Sequence, residues 1–416
     1  MEKKRIVITG IGVVAPNGIG KEEFWSNCLA NVSGIKPITL FDTSRYRCRW
    51  AGEISKFQPE TYLGPKGLRN LDRTTLLALV AAKMALIDAT LESTEQDSAD
   101  TGVVIGSTMG SVHSISEFDR EGLHEGPRYV NPAEFPNTVI NSPASRIAIH
   151  LGFRGLNATI STGFTASLDA MGYALDMLRL ERVRRLLVGG VEELCLQTFL
   201  GFYKLGFLAV SKNGAPPAFQ PFGPDRAGAL LGEGATFFMF ECLEDALARQ
   251  ARIYAECLEY ATEFTPRYMF RYDPTAVGLT RAISQAVKES QLDSDAIDFV
   301  GACANSTKVC DASEMVALEN IFGSRLSRMS LHAVKSLVGE SFSAGAGLQL
   351  AAALGYMNCS KNESSETEAS LTRIDRGGSG SALSQWPPHT ALIDAFGPMG
   401  AASSLVICAL DDEDKQ

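Results

Sequence analysis

The 416-residue sequence lacks the positive charge that nucleic-acid-binding proteins carry. It has 38 Lys and Arg residues against 48 Asp and Glu residues, a formal net charge of −10, and no long basic run. Proteins that bind nucleic acid neutralise its phosphates with clustered cations. We therefore expect no nucleic-acid partner, although a local basic patch would still suit an acidic carrier protein.

Long hydrophobic runs are also missing. No stretch approaches the ~20 apolar residues of a membrane helix. The apolar run that starts at Ile6 is too short, and too interrupted by glycine, for a signal peptide. The sequence therefore predicts no membrane association and a cytoplasmic protein.

Paired cysteine spacings are absent as well. The nine cysteines are an odd number without a Cys-x-x-Cys pair, and the five histidines form no cluster with them. Scattered thiols of this kind are typical of reduced, cytosolic proteins rather than of disulfide frameworks. We expect free thiols and no metal site.

What the chain does contain is a repeated pattern of strand, small-residue turn and helix. The pattern occurs near residues 157–178 and again near 331–357, each time after a strand with a Gly-rich or Ser/Thr-rich end. A chain of 416 residues is long enough for two domains or one duplicated domain. We predict an α/β fold built from two repeated halves, residues 1–250 and 251–416.

The apolar periodicity predicts a helix over residues 166–179 and another over 348–357. A stretch rich in Ser, Glu, Asn and Gly, Ser360–Ser384, is interpreted as a surface loop without a function of its own.

The first repeated turn has the form that presents a nucleophile in many α/β enzymes. A strand ends in small residues and a helix follows at once, so one side chain is exposed at the helix N-terminus. Here that side chain is Phe164. A benzyl group neither attacks a carbonyl nor carries a proton, so this turn has no chemistry at its tip.

Several motifs, in order along nearly the whole chain, resemble the β-ketoacyl-(acyl carrier protein) synthase II family. They are VITGIGVV near the N-terminus, GSTMG from Gly106, RGLNATIST from Arg154, PFGPDRAG from Pro221, LGEGA from Leu231, VKSLVG from Val334 and FGPMG from Phe396. The resemblance implies the duplicated thiolase fold, with five layers in the order αβαβα.

Members of that family use a Cys nucleophile and two His residues, which take the acyl chain, decarboxylate the malonyl extender and stabilise the oxyanion. The motif match places the Cys at Phe164, the first His at Cys303 and the second His at Glu340. All three catalytic side chains are therefore replaced. An exposed Glu340 would be anionic and would repel a developing oxyanion.

Two supporting residues of the family are retained. Lys335 matches the family's lysine, and Glu314 matches an acidic residue downstream of the first His. We expect them to persist as a buried ion pair with a structural role, because loss of one partner would leave an uncompensated charge.

Lost chemistry on a retained scaffold is the pattern of chain-length factors, which resemble ketosynthases but do not condense. They pair with an active ketosynthase in type II polyketide synthases, including aromatic polyketide and aryl-polyene systems. The resemblance implies a heterodimer with such a ketosynthase and an acyl carrier protein as a second partner. It implies no cofactor bound directly, only the phosphopantetheine of that carrier. Phe164 departs from the Gln that chain-length factors often carry, so priming by decarboxylation is not expected.

In the resembling heterodimers, the growing chain lies in a tunnel that residues of the inactive subunit close. A bulky side chain at the wrong depth there costs overlap or strain, which limits product length. The motif match gives five candidates for the tunnel end, Met109, Val112, Ser116, Phe118 and Phe135. The alternative interpretation is that all five are ordinary core or interface residues.

A second function stays open at this point. Cys303 is a possible nucleophile for an independent acyltransferase or thioesterase, provided that its pKa is lowered by a paired base. None of the five histidines occupies a catalytic position of the family. A third class is a scaffold that binds the carrier protein without affecting the product.

Overall fold

The computed structural model describes residues 3–91, 95–211, 217, 219–266, 270–359 and 387–411. The surface loop predicted at Ser360–Ser384 lies outside the described residues.

The described residues form strands and helices that alternate along the chain. The strands are β1 (Ile6–Ala15), β2 (Gly18–Ile19), β3 (Ile35–Pro37), β4 (Trp50–Gly52), β5 (Thr101–Gly106), β6 (Asn157–Ile160), β7 (Arg185–Glu192), β8 (Gly234–Cys242), β9 (Ala255–Phe264), β10 (Phe299–Gly301), β11 (Ser330–His332), β12 (Thr390–Phe396) and β13 (Ala401–Cys408). The α-helices are α1 (Lys21–Leu29), α2 (Glu60–Leu63), α3 (Arg73–Asp88), α4 (Glu95–Asp100), α5 (Val112–His124), α6 (Ser142–Leu151), α7 (Ala166–Arg179), α8 (Leu196–Lys204), α9 (Leu243–Ala248), α10 (Val277–Glu289), α11 (Lys308–Phe322), α12 (Lys335–Val338) and α13 (Gly345–Met357).

One mixed sheet shows the duplication directly. Its strand order is β11-β10-β12-β13-β9-β1-β8-β7-β5-β6, with β2 paired to β1. From the centre outwards, each half has two antiparallel pairings followed by two parallel ones, β1-β8-β7-β5-β6 and β9-β13-β12-β10-β11. β6 and β11 are therefore equivalent, and so are the helices α7 and α13 that follow them. The predicted duplication is confirmed, while the boundary at residue 250 stays a prediction.

The helices divide this architecture into five layers. α3 and α6 cover the outer face of the first five strands, and α10 and α11 cover the outer face of the second five. α7 and α13 lie between the two sets of strands and contact each other. The predicted α/β fold with αβαβα layers is therefore confirmed. None of the helices in the described ranges is both long and apolar enough to cross a membrane.

The middle layer explains the small residues of α13. All of its residues from Gly345 to Met357 are buried. A Cβ atom on Gly347 would lie 2.0 Å from the Thr236 hydroxyl of β8, so only glycine permits this approach. The predicted helix over 166–179 is confirmed, and the one predicted over 348–357 begins three residues earlier, at Gly345.

Candidate functional site

The turn between β6 and α7 holds Phe164 inside the protein. Gly163 has φ +82, a left-handed conformation that suits glycine, and the 3-10 turn Gly163–Thr165 leads directly into α7. The Phe164 side chain at the tip is only 5% exposed.

Four rings meet at this point. Phe164 lies 5.0 Å from Phe342, 6.3 Å from Phe202 and 6.2 Å from Phe207, measured between ring centroids. Phe202 and Phe342 stack at 4.7 Å. We call Phe164, Phe202, Phe207 and Phe342 the phenylalanine cluster. It consists of hydrocarbon, which can do no acyl-transfer chemistry, at the position that the motif match aligns with the family's catalytic Cys.

Phe342 reaches the cluster through an unusual backbone conformation. Its φ is +47, which is rare for a bulky residue, and it opens the 3-10 turn Phe342–Ala344 before α13. Such strain persists where the surroundings enforce it. Sequence reasoning did not single out Phe202, Phe207 or Phe342, although Phe342 stands only two residues after Glu340 in a recognised motif.

Cys303 lies just after β10, with 1% of its surface exposed. Burial, reinforced by Cys310 and by the carboxylates of Glu314 and Asp394, raises the pKa of its thiol well above the ordinary value. A nucleophilic Cys needs the opposite shift. Nor does His332 provide a base, because it is itself buried and contacts Tyr356.

Glu340 is fully buried, so the exposed anion considered from the sequence does not occur. One oxygen accepts hydrogen bonds from Lys335 Nζ at 2.9 Å and Asn305 Nδ2 at 2.8 Å, and the other accepts from the Phe342 backbone N–H at 3.0 Å. Its charge is therefore paired internally. A paired carboxylate that accepts hydrogen bonds is no donor for an oxyanion.

The expected ion pair between Lys335 and Glu314 is wrong. Lys335 donates to Glu340 and to the Cys303 carbonyl oxygen, the latter at 3.0 Å. Burial alone would lower the pKa of Lys335, but Glu340 together with the thiols of Cys303 and Cys310 outweighs burial, and the pKa is raised. The reason is the turn at Gly339, whose φ of +84 directs the chain back so that Glu340 faces the lysine five residues before it. Glu314 instead accepts the Cys303 N–H at 2.8 Å.

Cys303, Glu314 and Asp394 form a group that sequence spacing did not reveal. Their candidate ligand atoms all lie within 4.8 Å of one another, and all three side chains are buried. They come from the end of β10, from α11 and from β12, so no local motif connects them. The expectation of no metal site stays a prediction, and this group is where it can be tested.

The five tunnel candidates fall into two places. Met109 is half-buried and packs against the core that contains the phenylalanine cluster. Val112, Ser116 and Phe118 lie half-buried on α5, a helix that sequence reasoning did not predict. The Phe118 ring lies 6.1 Å from that of Phe135, which is 57% exposed. Of the five, Met109 is therefore the one that packs against the core containing Phe164.

A buried carboxylate that sequence reasoning missed holds the Met109 loop. Glu192, in β7, accepts the backbone N–H groups of Thr108 and Met109 at 3.0 Å each. It also accepts the Ser343 hydroxyl at 2.6 Å. Burial raises the pKa of Glu192 to about 7, against the effect of these hydrogen bonds. Glu192 thus connects the first half of the chain to the turn that carries Phe342.

An open pocket of about 650 Å³ lies outside the phenylalanine cluster. Phe207 forms part of its wall, and Arg271, Lys308 and Thr307 supply its polar lining. A smaller pocket of about 250 Å³ reaches Phe202 and Pro398. The two basic side chains suit a phosphate group, while the apolar wall closes the way inward.

Comparison with known proteins identifies relatives over most of the chain. Residues 3–246 match the model of the beta-ketoacyl synthase N-terminal domain, and residues 254–361 match that of the C-terminal domain. The chain is 32% identical over 354 residues to 3-oxoacyl-[acyl-carrier-protein] synthase 2 of Coxiella burnetii, covering 84% of each chain. It is 30% identical to the protein of the same name from Synechocystis, covering 85% of each.

Solved structures agree with this assignment. The structure named the ishigamide ketosynthase/chain length factor superposes on this chain with a TM-score of 0.84 and 28% sequence identity. The match covers 99% of this chain and 100% of that chain. A type II polyketide synthase acyl-carrier protein in complex with its ketosynthase gives a TM-score of 0.85 and 25% identity, covering 98% and 100%. These similarities confirm the predicted thiolase-like ketosynthase fold.

Proposed function

The chain belongs to the beta-ketoacyl synthase family, and from that premise we propose that it is a non-condensing subunit. It pairs with an active ketosynthase in a cytoplasmic type II polyketide synthase and helps to set the length of the product. One observation carries the proposal. The three positions that perform condensation in the family hold a buried ring, a buried thiol and an ion-paired carboxylate.

The first edge of the sheet supports a protein partner. Among the described residues β6 is the last strand on that side, and its residues are partly exposed. On the side that faces β5, the carbonyl oxygens of Leu156 and Ile160 accept hydrogen bonds from the backbone N–H groups of Val103 and Ser107. Strand alternation therefore turns the N–H and C=O groups of Asn157 and Thr159 outward. An unpaired edge of this kind is a template for pairing with another chain.

Apolar residues beside this edge add to the same surface. Ile149 is 74% exposed on α6, and Ile140, just before α6, is 38% exposed. Exposed apolar groups near a free strand edge favour a protein interface. The name of one structural neighbour, a ketosynthase/chain length factor, describes a pair of the proposed type.

The second proposed partner is an acyl carrier protein. Arg271 and Lys308 in the 650 Å³ pocket suit the phosphate of a phosphopantetheine arm. The phenylalanine cluster then stops that arm before it reaches position 164. One neighbour is named as a complex of a ketosynthase with its carrier protein.

Product length is proposed to depend on Met109. Its half-buried side chain contacts the core that contains the phenylalanine cluster, and Glu192 fixes its backbone. A larger side chain there would shorten the available space, because overpacking a well-packed site is strained. Val112, Ser116, Phe118 and Phe135 are proposed to act only as interface or supporting residues.

The test is co-expression with the active ketosynthase and carrier protein. The ketosynthase alone should lose activity or give altered products, and Met109→Trp should give shorter products as measured by mass spectrometry. Ile87→Trp, at 63% exposure near the end of α3 and away from α5, is the control and should change nothing. A ketosynthase that is fully active alone, with unchanged product length, would refute the function.

The alternative of an acyltransferase or thioesterase that uses Cys303 has a separate readout. It requires an acyl adduct on Cys303 after incubation with acyl-carrier thioesters, which intact-mass analysis would detect. Burial and the raised pKa of the thiol weigh against that adduct.

A further inference from the structure

The outer face of the second set of strands contains a buried group of ligand atoms that the proposed function does not use. Cys303 follows β10, Glu314 lies on α11 and Asp394 lies on β12. Glu314 and Asp394 are 0% exposed, and Cys303 is 1% exposed. These three residues bring three separate elements together at one point.

Each carboxylate is only half satisfied. The Cys303 N–H donates to Glu314 Oε1 at 2.8 Å and to Asp394 Oδ1 at 3.0 Å. The second oxygens, Glu314 Oε2 and Asp394 Oδ2, have no hydrogen-bond partner among the described residues. Ser404 stands directly across from Asp394 in β13, and its buried hydroxyl likewise has no partner in the described part of the chain. Buried polar atoms without partners are costly, and an ion is one common explanation.

The local charge points in the same direction. Lys335 is the nearby cation, but it is paired with Glu340. Two carboxylates therefore remain in a dry environment, where a buried pair of like charges is unfavourable. A bound cation would compensate both charges, and a proton shared between the two carboxylates is the competing explanation.

We propose that Cys303, Glu314 and Asp394 bind a single zinc-class divalent cation. Their ligand atoms lie within 4.8 Å of one another, as donors around one ion must. A sulfur donor with two carboxylates suits zinc, whereas calcium and magnesium prefer oxygen donors alone. Binding displaces the thiol proton, so the thiolate and the two carboxylates become the ligands. The Ser404 hydroxyl, across from Asp394 and without a partner among the described residues, is the candidate for a fourth ligand.

The ion would act as a structural cross-link. It would tie α11 and β12 to the loop after β10, next to Lys335 and Glu340. Cys303, which the motif match aligns with a His of the family, would then have a structural role that requires neither an acyl group nor a base. This inference is independent of the proposed partner.

The experiment uses the purified full-length chain from zinc-supplemented culture. After dialysis against metal-free buffer, elemental analysis should find about one zinc per chain. Strong chelation should lower the thermal midpoint, and zinc should restore it. Cobalt substitution should give thiolate-to-cobalt charge-transfer absorption.

Variants identify the ligands. Cys303→Ser should abolish the cobalt absorption, and Asp394→Asn should lower retained zinc at least about tenfold. Cys28→Ser is the matched control, since Cys28 is equally buried but belongs to a different core. Its metal content should equal that of the wild type.

The competing explanation is a proton shared between Glu314 and Asp394. It predicts a wild-type chain without retained zinc and a thermal midpoint that neither chelator nor zinc changes. Either of these wild-type results overturns the proposal, even if a ligand variant fails to fold. Zinc that is retained equally by wild type and by a folded Asp394→Asn variant would also overturn it.

Discussion

The two halves of the molecule both place a phenylalanine in the 3-10 turn just before a helix of the middle layer, but they support that turn in different ways. Behind Phe164, Asp169 of α7 accepts four hydroxyl groups, those of Thr162, Thr165, Tyr260 and Ser403. Behind Phe342, Glu340 is paired with Lys335. The first support is a network of neutral donors, and the second is a buried ion pair.

The surroundings of the two turns differ accordingly. Thr162 is exposed, and β6 before it is a partly exposed edge strand. The equivalent strand β11 is buried throughout, and α13 after its turn is buried on every side. The two copies of the duplicated unit therefore differ in exposure: we call the half with the partly exposed strand β6 the open side and the half with the buried strand β11 the closed side. The open side is available to a partner, whereas the closed side must be internally neutral.

The largest expected effect comes from removing the carboxylate charge behind each turn. Glu340→Gln leaves the Lys335 charge buried without its counter-charge, which should lower the free energy of unfolding by about 3–5 kcal/mol. Asp169→Asn leaves no buried cation without a counter-charge, because the donors to Asp169 are neutral hydroxyl groups. It should lower the free energy of unfolding by only about 1–2 kcal/mol. Chemical denaturation of both variants measures the difference.

A double variant checks the cause. Lys335→Met combined with Glu340→Leu removes both charges and should recover most of the stability lost in Glu340→Gln, because well-packed apolar residues replace buried ion pairs at little cost. Equal losses in Glu340→Gln and Asp169→Asn would show that the two turns do not differ as we argue.

The next effect concerns Glu192, which joins the two turns. Burial raises its pKa from 4.5 to about 7. Between these values the folded state retains a proton that the unfolded state releases, so stability falls as pH rises from about 4.5 to 7. Glu192→Gln should remove this contribution, on the order of 3 kcal/mol. Denaturation of both proteins at several pH values across this window measures it.

Neighbouring groups sharpen that prediction. Glu193 and Asp72 lie nearby, and burial together with Asp72 also raises the pKa of Glu193 to about 7. They are present in both proteins, so the difference between wild type and Glu192→Gln isolates Glu192. Ser343→Ala removes a hydrogen bond that lowers the pKa of Glu192 and should extend the loss of stability to higher pH. Parallel curves for wild type and Glu192→Gln would contradict the assignment.

The fold could be predicted from the sequence because its signals are local. Helix α7 follows the apolar spacing of residues 166–179, and the buried strand Ile6–Ala15 is rich in β-branched apolar residues. α5 was missed because it is amphipathic without any fully buried residue. The pairing of β1 with β9, which joins the halves, depends on tertiary packing that periodicity does not encode.

Residues of the candidate site could be predicted only where they stand inside a recognisable sequence motif. Phe164, Cys303 and Glu340 could be found from the motifs, but the environment of each could not. Lys335 was assigned to Glu314 because both matched the family, whereas the backbone at Gly339 brings Glu340 to it instead. Glu192 and Asp394 contribute through long-range contacts, for which a single sequence has no signal.

The variant with the smallest expected effect on stability tests whether the exposed edge strand β6 binds a partner. Thr159→Pro removes an outward N–H of β6, while the groups that bond to β5 belong to the residues on either side. Binding to the partner ketosynthase should weaken at least about tenfold, which corresponds to about 1.4 kcal/mol. Co-purification and titration measure the binding, and denaturation of the isolated chain should show a change of less than about 1 kcal/mol. If a folded Thr159→Pro variant binds its partner as tightly as the wild type, β6 is not the edge that pairs, and the difference between the open and closed halves has another cause.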